Sequence, residues 1–182
     1  MAATGARYMS AMLRTASGLV DLRLVLALIL AVSLAALAMA LTGQFAFGIE
    51  PCILCLYERV PWAAAAAVAA AGLLGWAGRQ RLGPVALCAA LFAAGAALAF
   101  YHVGVEEHWW ASITGCGGGP VTGITLDDLS PAALAQSTLK PCDRVDWRVF
   151  GLSLAGLNAI ASMLASLACV GALSALARKP SP

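Results

Sequence analysis

Apolar residues fall along this chain in four long runs, and polar residues collect between them. Leu24 to Leu41 is apolar apart from Ser33, with Arg23 just ahead of it. Val60 to Ala77 is alanine-rich and opens with Val60-Pro61-Trp62. Pro84 to Val103 leaves through Phe100-Tyr101-His102, and the last run extends from Val149 to about Ala177. A bilayer core about 30 Å thick is crossed by about 20 apolar residues in helix. Each run therefore predicts one transmembrane helix. Trp62, Trp109, Trp110 and Trp147 fall near the predicted ends, where indole rings prefer the membrane interface. The expected fold is an all-α membrane protein, a four-transmembrane-helix bundle forming a single domain over residues 1–182. The spans are expected at about 24–41, 60–77, 84–103 and 149–177. The first run ends in Ala38-Met39-Ala40, which would suit signal-peptide cleavage, but its head is long for a signal peptide. An uncleaved span is the preferred reading, and residue 42 onward emerges on the same side in either case.

Charge orients these spans. Arg7, Arg14 and Arg23 precede the first, Arg79 and Arg81 lie in the turn Gly78–Gly83 between the second and third, and Arg178 and Lys179 follow the fourth. Loops rich in Lys and Arg stay in the cytoplasm, so both termini are expected there. The two remaining loops, about 42–59 and 104–148, hold most of the acids and face outward. In the second, Ser130-Pro131 supplies an N-cap serine and an N1 proline, which predicts a short helix lying on the membrane with Leu134 and Leu139 inward. The composition agrees: 62% hydrophobic and 11% charged, against about 25% charged in soluble domains. The net charge of +2 is small and the basic residues are scattered, so no nucleic-acid partner is expected; the lipid bilayer is.

Six cysteines carry the candidate chemistry. Cys88 and Cys169 fall within spans, where a thiol packs as a small hydrophobe. Cys116 and Cys142 lie in the second outward loop. A disulfide between them would stabilise the fold by about 3 kcal/mol, but Gly117-Gly118-Gly119-Pro120 leaves Cys116 on an accessible backbone. Structural and redox readings both stand for this pair. Cys52 and Cys55 form a Cys-x-x-Cys whose small ring would gain little entropy for the fold. Pro51 can start a helix, which places Cys52 near a positive end that favours thiolate. Arg59 follows Cys55 by four residues on the same helical face and enters the bilayer edge, where a charged residue is a functional candidate or an interfacial anchor. Leu56 after Cys55 excludes the haem-attachment pattern. Zinc or copper binding by the four outward cysteines, with His102 and His108 nearby, is the minority alternative, because the second pair lacks close ligand spacing. No metal is assigned. The two histidines suit packing, interfacial or proton-handling roles equally.

Pro51-Cys52-Ile53-Leu54-Cys55-Leu56-Tyr57-Glu58-Arg59 resembles the first periplasmic loop of the bacterial disulfide bond formation protein B (DsbB) family. Pro141-Cys142-Asp143 and Trp147-Arg148-Val149-Phe150-Gly151-Leu152-Ser153 resemble that family's approach to its fourth span. The vitamin K epoxide reductase-like quinone reductases share the four-helix, four-cysteine plan, but carry their Cys-x-x-Cys near the last helix. The resemblance to DsbB implies a protein-dithiol:quinone oxidoreductase of the bacterial inner membrane. Such a protein oxidises a periplasmic thioredoxin-like thiol oxidase of DsbA type and passes the electrons to membrane quinone, ubiquinone or menaquinone. It implies redox disulfides Cys52–Cys55 and Cys116–Cys142, four catalytic cysteines, and Arg59 at the quinone.

Overall fold

The structure, a computed structural model, describes residues 22–75, 82–113, 140–145 and 147–178. Cys116, the basic residues Arg79 and Arg81, and the short helix expected after Ser130 lie outside the described residues. Four long helices are present: α1 (Leu22–Ala46), α2 (Ile53–Leu73), α3 (Gly83–Glu106) and α4 (Leu154–Ala177), with strands β1 (Arg148–Val149) and β2 (Leu152–Ser153) just ahead of α4. The helices have 25, 21, 24 and 24 residues. At 1.5 Å per residue each reaches about 30 Å or more, and each is apolar enough to cross a membrane. The four-helix membrane fold read from the apolar runs is the fold observed.

Helix ends differ from the ends of the apolar runs, because capping rather than hydropathy sets them. α2 starts at Ile53, well ahead of Val60, with Cys52 as its N-cap in extended backbone (φ −74°, ψ 171°). α3 carries on past Val103 to Glu106 and closes in a Schellman arrangement. Trp109 N–H donates to Gly104 O (2.8 Å) and His108 N–H to Val105 O (3.2 Å), with His108 itself left-handed at φ 58°. α4 starts at Leu154, not Val149, because residues 148–153 are a hairpin. Arg148 pairs with Ser153 and Val149 with Leu152, antiparallel. Its loop residues Phe150 (φ 53°) and Gly151 (φ 83°) are both left-handed, as the tightest hairpin turn requires. Ser153 Oγ then caps α4 by accepting from Gly156 N–H at 3.1 Å.

α3 and α4 pack most extensively, and α2 lies against both α1 and α3. The core joins Leu26 and Ile29 of α1, Trp62, Ala65 and Ala69 of α2, Val85, Cys88 and Phe92 of α3, and Cys169 of α4. Alanines at the helix contacts let the backbones approach closely, the usual source of packing energy where lipid is already apolar. Large apolar side chains such as Leu28, Val32, Phe100, Met163 and Leu167 point outward. This inside-out distribution is what a lipid solvent demands.

Candidate active site

The end of the bundle where α2 and α4 begin and α3 finishes contains the polar interior of the protein. Cys52 is buried (3% exposed) and Cys55 half-buried. Because Cys52 is the N-cap, its Sγ accepts the otherwise unpaired N–H of Cys55 at 3.2 Å. The first helical turn brings the two sulfurs to 2.7 Å, with both thiols free. The Cys52 thiol is held well below its usual pKa, first by the Cys55 thiol and then by His102, against the opposing effect of burial. Cys52, Leu54, Val105 and Cys142 form a small buried cluster, with Cys55, Leu98 and Tyr101 against it. Cys142 is 1% exposed and disulfide-bonded. Three of the four cysteines singled out in the sequence are thus gathered at one end of the bundle; Cys116 lies outside the described residues.

A chain of buried hydrogen bonds leads away from Cys52. His102 Nε2 stands 3.5 Å from Cys52 Sγ, and its Nδ1 is 2.6 Å from Glu58 Oε1. With Nδ1 as the donor to Glu58 Oε1, Nε2 is the ring nitrogen left facing Cys52. Glu58 Oε2 accepts from Asn158 Nδ2 at 2.7 Å, and Asn158 Oδ1 accepts from Trp62 Nε1 at 2.9 Å and from Ser162 Oγ at 3.4 Å. Glu58 and His102 are 6% and 2% exposed. A buried carboxylate is tolerable only when its oxygens are satisfied, and here each has a donor. Glu106, one turn beyond His102, is also buried; one of its oxygens lies 4.0 Å from His102 Nε2, and among the described residues its Oε2 has no hydrogen-bond partner.

Arg59 faces the same way as Cys55 on α2, yet its Nη1 donates to Gln44 Oε1 at the end of α1, at 2.7 Å. It is half-buried at the rim of the bundle. His108 is exposed, with Nε2 4.0 Å from Asp143 Oδ2. Beside it, Trp110 stacks flat on Tyr101 with ring centres 5.9 Å apart, over Gly104, where any Cβ would collide with the indole. Cys88 and Cys169 sit in the apolar core as free thiols.

Donor atoms of Cys52, Cys55 and His102 lie within 4.8 Å of one another. Two thiolates on one tetrahedral zinc, each about 2.3 Å from it, stand about 3.8 Å apart. A sulfur separation of 2.7 Å suits disulfide chemistry better. Cys142, already in a disulfide, is not a free thiolate for the four-cysteine metal site considered above.

Sequence reading missed Glu58, Asn158 and Trp62, and gave His102 no particular partner. The usable signal was polarity in or beside the apolar runs: a histidine and an asparagine inside spans, with an acid just ahead of the second, are expected to face the bundle interior and one another. Nothing in one sequence says which pairs meet.

A family model described as "Disulfide bond formation protein DsbB" matches residues 22–172. Relatives described as disulfide bond formation protein B are similar over 125 residues, 65% of this chain and 70% of theirs. Those of Xanthomonas campestris pv. campestris (strain 8004) and Xanthomonas axonopodis pv. citri (strain 306) are 31% identical, and that of Xanthomonas oryzae pv. oryzae (strain MAFF 311018) is 29% identical. No solved structure matches the chain at a significant level. With its four membrane-crossing helices and a paired dithiol at the end of the bundle, the chain belongs to the DsbB family of disulfide bond formation proteins, multi-pass membrane oxidoreductases.

Proposed function

We propose that this protein oxidises a periplasmic thioredoxin-like thiol oxidase of DsbA type and delivers the electrons to membrane quinone. The observation that carries the reading is the Cys52–Cys55 pair at the start of a membrane helix, its sulfurs 2.7 Å apart and Cys142 packed in the same cluster. A thiolate of the reduced partner attacks Cys116 of a Cys116–Cys142 disulfide and releases Cys142. Cys142 attacks Cys52 of the closed inner pair and releases Cys55. Each step forms one S–S bond and breaks another, so electrons move inward without any free oxidant. The partner's second thiolate attacks its own sulfur in the mixed disulfide and frees Cys116, and Cys116 attacks Cys142 and frees Cys52, so the partner leaves oxidised and both inner thiols are reduced. When Cys52–Cys55 closes again, two electrons pass to quinone, which takes up two protons to become quinol. An acceptor dissolved in the bilayer explains why the pair caps a membrane helix rather than standing in the outer loop.

Arg59, held by Gln44 at the rim, supplies a fixed positive charge where a quinone carbonyl gains negative charge. In this reading the site end of the bundle faces the periplasm, both termini lie in the cytoplasm, and the bilayer is the bacterial inner membrane. The test is quinone reduction by membranes supplied with a reduced DsbA-type protein. Activity that survives Cys55→Ser would sink the relay. Trapping of the partner on Cys116 in the Cys142→Ser variant is expected.

A further inference from the structure

Asn158 belongs to no cysteine motif, sits in the last helix, and is 100 residues from the side chain it holds. We propose that Asn158 is a positioning residue for the redox pair: by pinning Glu58, it fixes His102 with Nε2 toward Cys52, so that His102 receives the Cys52 proton. The inference rests on the relay proposed above only for its use in catalysis; the geometry stands apart from it.

Five contacts carry the proposal. Asn158 is locked at its oxygen by Trp62 and Ser162, which leaves its Nδ2 aimed at Glu58 Oε2. The other Glu58 oxygen then accepts from His102 Nδ1 at 2.6 Å. A histidine whose Nδ1 proton is engaged presents Nε2 as its acceptor, and that nitrogen is the one 3.5 Å from Cys52 Sγ. The order thiol, imidazole, carboxylate, amide is that of an activated nucleophile whose base is oriented by further groups. Its members come from the edge of α2, from α3, from α2 again and from α4, so the device exists only in the assembled bundle.

The chemistry balances. The S–H bond of Cys52 breaks and an N–H bond forms at His102 Nε2, giving a thiolate beside an imidazolium whose charge Glu58 already offsets. In the relay this thiolate attacks the Cys55 sulfur as the S–S bond closes and two electrons leave for quinone. The proton on His102 is one of the two that the dithiol gives up. Among the described residues, the other titratable groups against Cys52 and His102 are Cys55 and Glu58 of α2 and Tyr101 and Glu106 of α3, while Ser153 and Asn158 are neutral and Cys142 is in a disulfide.

The experiment is a pH titration of ultraviolet thiolate absorbance on the full-length, reduced protein in detergent, without quinone or partner. Subtracting the matching Cys52→Ser variant in each background isolates Cys52. Asn158→Ala and Asn158→Leu are expected to raise the Cys52 midpoint by about one pH unit, the scale of a lost oriented charge. Trp62→Phe, which frees only the Asn158 oxygen, should raise it less. A merely structural Asn158 lowers the melting temperature and leaves the midpoint alone, and that result overturns the proposal. If the Asn158 variants do not fold, an unmoved midpoint in Trp62→Phe overturns it equally. Because no quinone is present, a shifted midpoint with no quinone reduction in the wild type would retire the relay and keep the positioning role.

Discussion

Two regions of one helix bundle hold free cysteines, and they differ in everything but the thiol. Cys88 and Cys169 lie in a core of Leu26, Ile29, Ala65, Val85 and Phe92, where Cys88 Sγ donates to the Ala65 carbonyl at 3.7 Å. Cys52 and Cys55 cap a helix end, touch each other, and connect through His102 to a buried carboxylate and an amide. Burial is similar in Cys52, Cys88 and Cys169, at 3%, 0% and 3% exposed. Exposure therefore does not separate reactive from inert thiols here. The neighbouring groups do: at Cys52 a second sulfur, an imidazole and a backbone N–H each favour the thiolate, whereas Cys88 and Cys169 pack in an alanine-lined interior.

The comparison breaks most visibly in activity. Cys52→Ser or Cys55→Ser should abolish quinone reduction by a reduced DsbA-type partner, whereas Cys88→Ala and Cys169→Ala should leave it near wild type and cost about 1 kcal/mol in stability. Equal losses from all four would erase the distinction. Glu58→Ala comes next. It strands the His102 and Asn158 donors in the interior and should cost about 3 kcal/mol, read as a lower denaturation midpoint. Ser166→Ala, which removes a 3.0 Å bond to the Ala89 carbonyl in the apolar half, should cost only about 1 kcal/mol.

Arg59→Ala should lower quinone turnover about a hundredfold, the lower end of the cost of removing one group that stabilises developing charge, while trapping of the partner on Cys116 is unchanged; unaltered kinetics would make Arg59 an anchor. The smallest effect is on pH dependence. The Cys52 pKa is lowered, so its thiolate persists as pH falls from the ordinary thiol range to the folded value and is lost only below that value. Between pH 8 and pH 6, iodoacetamide labelling of Cys52 should decline several-fold less than the roughly hundredfold drop of an unperturbed thiol. Labelling that falls in step with an unstructured cysteine peptide would contradict the thiolate environment described.

Much of this was legible along the chain. The apolar runs gave four helices because hydropathy is local, and about 20 apolar residues in sequence have one low-energy arrangement in a bilayer. The Cys-x-x-Cys was legible because one helical turn is enough to bring its sulfurs together. Helix boundaries were less so: N-capping by Cys52 extended α2 outward, and the Phe150-Gly151 turn delayed α4, both effects of single residues that hydropathy does not weigh.

What only the tertiary structure decided is who stands beside the sulfur. Glu58 and His102 are 44 residues apart, and Glu58 and Asn158 are 100 apart. In sequence His102 and Asn158 look like isolated polar residues in apolar runs, and Glu58 like one of the outward loop's acids. Lipid cannot solvate them, so they face inward, and which of them meet depends on helix rotation set by the packing of α2, α3 and α4. The sequence by itself determined the spans and the dithiol; the bundle chose the histidine beside Cys52, the carboxylate that histidine meets and the arginine's partner.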